Sequence, residues 1–171
     1  MIYKNIKFSE YSAELLDQIK KGAFMTTKVK DKVNTMTIGW GGINIIWNKS
    51  VFVAYVRYSR DTYAMLKDTE EFTINVPLNN DLKKELLYCG RQSGRDTNKI
   101  EDCKLTLQKG RSIETPVISN CELQYECKVI YKQAMEPNSI PKEVLKKYYD
   151  NSDFHVIFYG EIVDSYIIKG A

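Results

Sequence analysis

Val51-Phe52-Val53-Ala54-Tyr55-Val56 runs without a break into Arg57-Tyr58-Ser59-Arg60-Asp61-Thr62, and the rest of the chain is placed from this stretch. The first half is β-branched and aromatic, which predicts a buried strand. The second half is a short turn dense in cations and hydroxyls. Ser59 has the chemistry of a helix N-cap, and Tyr63, Ala64, Met65 and Leu66 predict the helix behind it. Glu71 to Val76 predicts the next strand, ended by Pro77. A helix N-terminus leaves N–H groups unpaired and carries partial positive charge. Two arginines and two hydroxyls around one therefore make a candidate phosphate site. An ordinary capped helix with its arginines in water gives the same local pattern.

Moving outward, residues 1–9 read as a lead-in strand or arm. Leu15, Leu16 and Ile19 lie at helical spacing in Ser12 to Lys21, and Gly22 stops that helix. Ala23 to Val29 and Val33 to Ile38 predict a hairpin about Lys30-Asp31-Lys32. Gly39-Trp40-Gly41-Gly42 breaks it, Ile43 to Trp47 is a short apolar segment, and Asn48-Lys49 is a turn. Asn79 or Asn80 caps a helix from Asp81 to about Cys89, with Leu82, Leu86 and Leu87 inward. Gly90 to Asp96 is a loop, and Asn98-Lys99-Ile100-Glu101 has the spacing of a capping box. Leu105 to Leu107 predicts a short strand and Cys121 to Lys132 a long one. Ser139-Ile140-Pro141 opens a helix with Val144, Leu145, Tyr148 and Tyr149 on one side. His155 to Ile168 predicts a last long strand, in which Gly160 marks a bulge or a close backbone approach. Strands dominate and mostly follow one another. The fold class is therefore mainly β, a barrel with short helices, in one domain over residues 1–171.

Composition excludes several functions. A dispersed net charge of +3 does not point to nucleic acid. No apolar run approaches the roughly 20 residues needed to span a bilayer, so no membrane partner is expected. No secretory leader is visible, so the expected compartment is the cytoplasm. The four cysteines, at 89, 103, 121 and 127, form no Cys-x-x-Cys and have only His155 for company, so neither zinc nor a disulfide framework is expected. Cys121 and Cys127 read as core residues. Cys89 reads as a buried residue at a helix end, with no resolving partner near it in sequence; a thiol with a redox role is the competing reading. Gly-x-Gly-x-x-Gly after a strand, the Walker loop and the Gly-x-Ser-x-Gly elbow are all absent.

Three further clusters stand out. Strand alternation in Asn34-Thr35-Met36-Thr37 puts Thr35 and Thr37 on one face, with Asn34 and Met36 on the other. Such groups on a barrel wall can read the edge of a flat heterocycle; a solvent-facing strand is the competing reading. Cys89-Gly90-Arg91-Gln92-Ser93-Gly94-Arg95-Asp96, followed by Lys99, offers backbone N–H groups and cations to a phosphate, or else is a solvated loop. His155-Val156-Ile157-Phe158-Tyr159-Gly160-Glu161-Ile162-Val163 starts a core strand with a histidine, which either is structural or lines a pocket mouth.

Taken in chain order, from Asn34–Thr37 through Arg57–Thr62 and Cys89–Lys99 to His155–Val163, the four clusters resemble the flavin reductase-like, FMN-binding split-barrel family, most closely its flavoredoxin branch, over about residues 20 to 165. The resemblance implies a six-stranded split barrel with Greek-key character, a homodimer with FMN near the interface, and NADH or NADPH as a possible donor. It places Thr35, Met36 and Thr37, with Asn34 beside them, along the flavin ring and its ribityl chain. Arg57, Ser59, Arg60 and Thr62 fall at the phosphate, and Ser93, Gly94, Arg95 and Lys99 add contacts from the second loop. Trp40 and Asn75 are candidates for lining the pocket. His155 matches the histidine that in relatives lies near the flavin or nicotinamide, which makes it the catalytic candidate. Tyr58 departs from the proline frequent in similar sequences, and residues 132–136 show no recognisable nicotinamide site.

Three functions follow. One is an FMN oxidoreductase passing electrons from a nicotinamide or protein donor to a flavin or protein acceptor. The second is an FMN electron carrier that oxidises no nicotinamide directly, working with a redox protein partner. The third is a flavin-free binding barrel.

Overall fold

The computed structural model describes residues 2–170. β1 (Ile2–Asn5) leads into α1 (Ser12–Ile19), β2 (Ala23–Val29), β3 (Lys32–Ile38), β4 (Gly41–Ile46) and β5 (Lys49–Arg57). α2 (Asp61–Met65), β6 (Glu71–Val76), α3 (Lys83–Arg91) and α4 (Lys99–Asp102) come next. β7 (Leu107–Gln108), β8 (Val117–Ile118), β9 (Leu123–Ala134), α5 (Lys142–Tyr148) and β10 (His155–Lys169) complete the chain.

The main sheet is antiparallel, in the order β3-β2-β6-β9-β10-β5-β4, with β1 added on β10. It holds eight strands where the resemblance implies six, because β1 and β4 extend it. The two-stranded β7-β8 sheet lies outside it. β3 and β5 are not hydrogen-bonded to each other, so the barrel is split there. Phe52, Val56, Phe72, Ile74, Tyr125 and Phe158 fill its centre.

Gly160 belongs to that packing. The β9–β10 register shifts between Tyr159 and Gly160, and a Cβ at 160 would overlap the Phe72 ring and the Cys127 Cβ. Of the two alternatives expected there the bulge is present, and the close neighbours are side chains rather than another backbone.

Some expected boundaries and faces move. Trp47 and Asn48, at φ 52° and 57°, make the two-residue turn between β4 and β5, one position earlier than expected. β4 begins at Gly41, inside the predicted break. The short strand lies at Leu107–Gln108 rather than Leu105 to Leu107. Leu16 and Leu87 sit outward, 50% and 55% exposed, because Leu15, Ile19 and Leu86 already fill the buried stripe of their helices. Ser59 is not the cap of α2: Arg60 occupies that position, and the Ser59 hydroxyl donates to Asp153 at 2.6 Å.

Candidate functional site

β3 passes two adjoining recesses. Residues 36–40 line the first, of about 230 Å³, together with Tyr55, Arg57, Arg60, Gly90 and His155. Residues 31–35 line the second, of about 400 Å³, together with residues 94–100. The first opens in the split of the barrel, between the end of β3 and the end of β5. Arg57 pairs with His155 across β5 and β10, so the two side chains share a face. Tyr55, two residues before Arg57, lies on that face as well.

Strand alternation holds in Asn34–Thr37, but the solvent-facing reading of this segment does not. Asn34, Thr35 and Met36 are all buried. Asn34 donates through Nδ2 to the Thr62 hydroxyl at 2.9 Å, and Met36 joins the central core. On the opposite face Thr35 meets Thr26, hydroxyl to hydroxyl, and Thr37 donates to the Leu86 carbonyl at the wall of α3. Thr62 is buried behind Asn34 and lines neither recess.

The cations gather at the junction of α2, α3 and the following loop. Arg60 donates to the carbonyls of Cys89 and Gly90 at 3.0 and 2.9 Å. Lys99 reaches the Cys89 carbonyl at 3.5 Å and that of Gln92 at 3.4 Å. Arg95 donates to the Ser59 carbonyl at 3.0 Å and lies 3.7 Å from Asp61, which also holds Lys32 at 2.8 Å. Arg57 donates to the carbonyls of Tyr148 and Asp153. Among the described residues neither Arg60 nor Lys99 has a carboxylate within 4.0 Å. Burial pushes Lys99 down to about 8, with Arg60 adding to the effect, and burial lowers Arg60 as well. A buried lysine and a half-buried arginine, each bonded directly only to carbonyls with Asp61 and Asp153 acting from beyond 4 Å, leave positive charge without a close counter-ion, which is the condition an anionic ligand relieves.

Gly94 brings the second loop onto this cluster. A Cβ there would overlap the Asn34 amide and the Asp61 carboxylate. Ser93 lines neither recess; its hydroxyl accepts from the Arg95 amide at 3.2 Å and shapes the turn. Asn75 does not reach the site. Its amide is spent in the interior, where Nδ2 lies near Thr26 and Thr73 and Oδ1 accepts from the Ile118 amide at 2.7 Å. Its polarity serves to anchor β8 to β6.

His155 is buried beside Trp40, ring centroids 4.9 Å apart, and faces the Tyr55 ring edge-on at 6.3 Å. Trp40, itself 40% exposed, forms the outer wall. Burial, with Arg57 second, pushes His155 down to about 4, so the ring is neutral at pH 7. Its Nδ1 lies 2.8 Å from the Tyr149 hydroxyl. The same hydroxyl lies 3.2 Å from Met135 Sδ, so its one proton serves either the thioether or the imidazole. Tyr149 and Asp153 escaped the sequence reading because their partners are tertiary. Tyr55 was within its reach, two residues from Arg57 on the same strand.

The Flavin reductase like domain profile matches residues 20–171. An uncharacterized protein of Archaeoglobus fulgidus is 29% identical over 133 residues, 78% of this chain and 64% of that protein. Less than two thirds of that relative's length is therefore represented here. The FMN-binding domain of a flavin reductases-like enzyme from Shewanella baltica superposes with a TM-score of 0.71 at 18% identity, covering 97% of this chain and 77% of that one. Flavoredoxin from Methanosarcina acetivorans gives 0.66 at 25% identity, covering 86% and 68%. The chain belongs to the flavin reductase-like family, and the split barrel is that family's fold. The family's FMN, a phosphate dianion joined to a flat ring, fits the residues present: Arg60 and Lys99, neither with a carboxylate in contact, beside a slot walled by Met36, Thr37, Trp40 and Tyr55.

Proposed function

We propose that this protein is an FMN-binding oxidoreductase, passing electrons from a nicotinamide or protein donor to a flavin or protein acceptor. Bound FMN supplies hydride and single-electron chemistry that no side chain of the chain provides. Arg60, Arg95 and Lys99 hold the phosphate, and Arg57, Ser59 and Thr62 fix the segment that carries Arg60. Thr35, Met36 and Thr37, with Asn34 behind them, lie along the ring and ribityl side. Trp40 and Tyr55 exclude water at the mouth. His155, kept neutral, offers an N–H at the ring or donor without adding charge.

The observation that carries this reading is the pair Arg60 and Lys99, both on the Cys89 carbonyl and neither with a carboxylate. A homodimer is part of the proposal. It is supported by the exposed Ile45 and Trp47 on and beside edge strand β4, and by Tyr131, whose ring lies 6.0 Å from that of Trp47. A cytoplasmic place is supported by four free thiols. No helix among the described residues is long and apolar enough to cross a membrane.

The test is anaerobic titration of the FMN-loaded protein with NADH and, separately, NADPH. Bleaching of the flavin by either identifies a nicotinamide donor. The likeness to the Methanosarcina flavoredoxin favours the carrier as second reading, and that reading expects no bleaching by either nucleotide and reduction by a ferredoxin-like protein. A protein that takes up no FMN refutes both.

A further inference from the structure

The loop between α3 and α4 carries Ser93, Gly94 and Arg95 and leads into Lys99 at the start of α4, and the segment is flanked on both sides by a cysteine. Cys89 lies in the last turns of α3 and Cys103 is the C-cap residue of α4. Their sulfurs are 3.9 Å apart. The sequence reading saw no resolving partner for Cys89; the fold supplies one 14 positions on. We propose that Cys89 and Cys103 are a redox-active thiol pair, oxidised to a disulfide that clips this loop at its base.

A sulfur–sulfur bond is about 2.05 Å, so closure needs a shift of about 2 Å, shared between two side chains and the short helix α4. Cys103 is half-buried and Cys89 fully buried, so Cys103 is the thiol that an external oxidant reaches. With a low-molecular-weight disulfide as oxidant, the Cys103 thiolate attacks one sulfur and releases the first thiol. Cys89 then displaces the second. Two S–H bonds are lost and one S–S bond forms, and both electrons and both protons end on the two released thiols. Burial keeps both thiols protonated at neutral pH, with Cys89 up to about 12, so the exchange is slow and speeds with pH.

The pair is coupled to the site through Cys89 itself, whose carbonyl accepts from both Arg60 and Lys99. On the reading of this site as an FMN site, the disulfide pre-organises the loop and slows FMN release by about tenfold.

The test incubates the chain with oxidised glutathione and follows intact mass and digest peptides. Expected are the loss of two hydrogen atoms, one cross-linked peptide pair joining 89 and 103, reversal by dithiothreitol, and no such bond in Cys103→Ser. The fully buried Cys121 and Cys127 stay reduced. Both thiols remaining alkylatable, or a reaction that stops at a glutathione adduct on Cys103, overturns the proposal. In a second arm FMN release is timed from the reduced and oxidised forms. Equal rates overturn the coupling. A disulfide that forms in a chain taking up no FMN in either state supports the thiol pair and refutes the FMN reading.

Discussion

Lys99 is 3% exposed, yet its ammonium is met by two carbonyls and no carboxylate. Such a lysine costs the empty protein stability and serves it only when an anion is bound. Lys99→Met, which keeps length and removes charge, separates the two effects. Urea melts of the flavin-free protein are expected to gain about 1–2 kcal/mol, while FMN binding loses about 2–4 kcal/mol by fluorescence titration. The pH dependence follows the same logic. Between about 8 and the ordinary 10.5 the unfolded chain holds a proton on Lys99 that the native state has released, so stability rises with pH there; Lys99→Met flattens that rise. His155 is the single histidine, so its NMR titration is read without assignment. A midpoint near 4 is expected, and stability falls as pH drops from 6.5 toward 4, because the unfolded chain protonates first. A midpoint at or above 6.5 contradicts the buried, neutral ring.

Among the elements, Gly160 makes the sharpest claim. Gly160→Ala puts a methyl into the Phe72 ring and is expected to cost about 2–4 kcal/mol in denaturant midpoints; a change below 0.5 kcal/mol, the scale of a neutral surface substitution, refutes the packing. Gly160 was legible because a lone glycine inside an apolar strand has few explanations. The β2–β3 hairpin, β5 and β6 were legible for a similar reason, their β-branched runs being bounded by charge, glycine or proline. The cap of α2 was not. Ser59 has the right chemistry, but Asp153, 94 positions on, claims both its hydroxyl and its amide. Asn75 misled in the same way, since a buried amide on a strand can face a ligand or tie down a neighbouring segment, and the Ile118 amide decides for the second. Of the site, Arg60, Lys99 and the strand from Asn34 to Thr37 were readable as motifs. The convergence of Arg60 and Lys99 on one carbonyl, and the Tyr149 contact to His155, arise only when α3 and α5 pack against the barrel.

At the scale of the molecule, the split between β3 and β5 locates the groove, and β4 leaves apolar side chains on an edge. Ile45 and Trp47 are 64% and 63% exposed, which a lone barrel gains nothing from. Sedimentation of the protein is expected to show a dimer, and the double substitution Ile45→Glu and Trp47→Glu a folded monomer; an unchanged dimer moves the interface elsewhere. The central claim is the cation-lined groove. Its most direct test is titration of the flavin-free protein with FMN, beside the Arg60→Ala, Lys99→Met double variant. The account predicts a yellow complex with one FMN per chain, released on denaturation, and binding weakened at least a hundredfold in the folded variant. A wild-type protein that stays colourless, or a variant that binds FMN as tightly as the wild type, contradicts it.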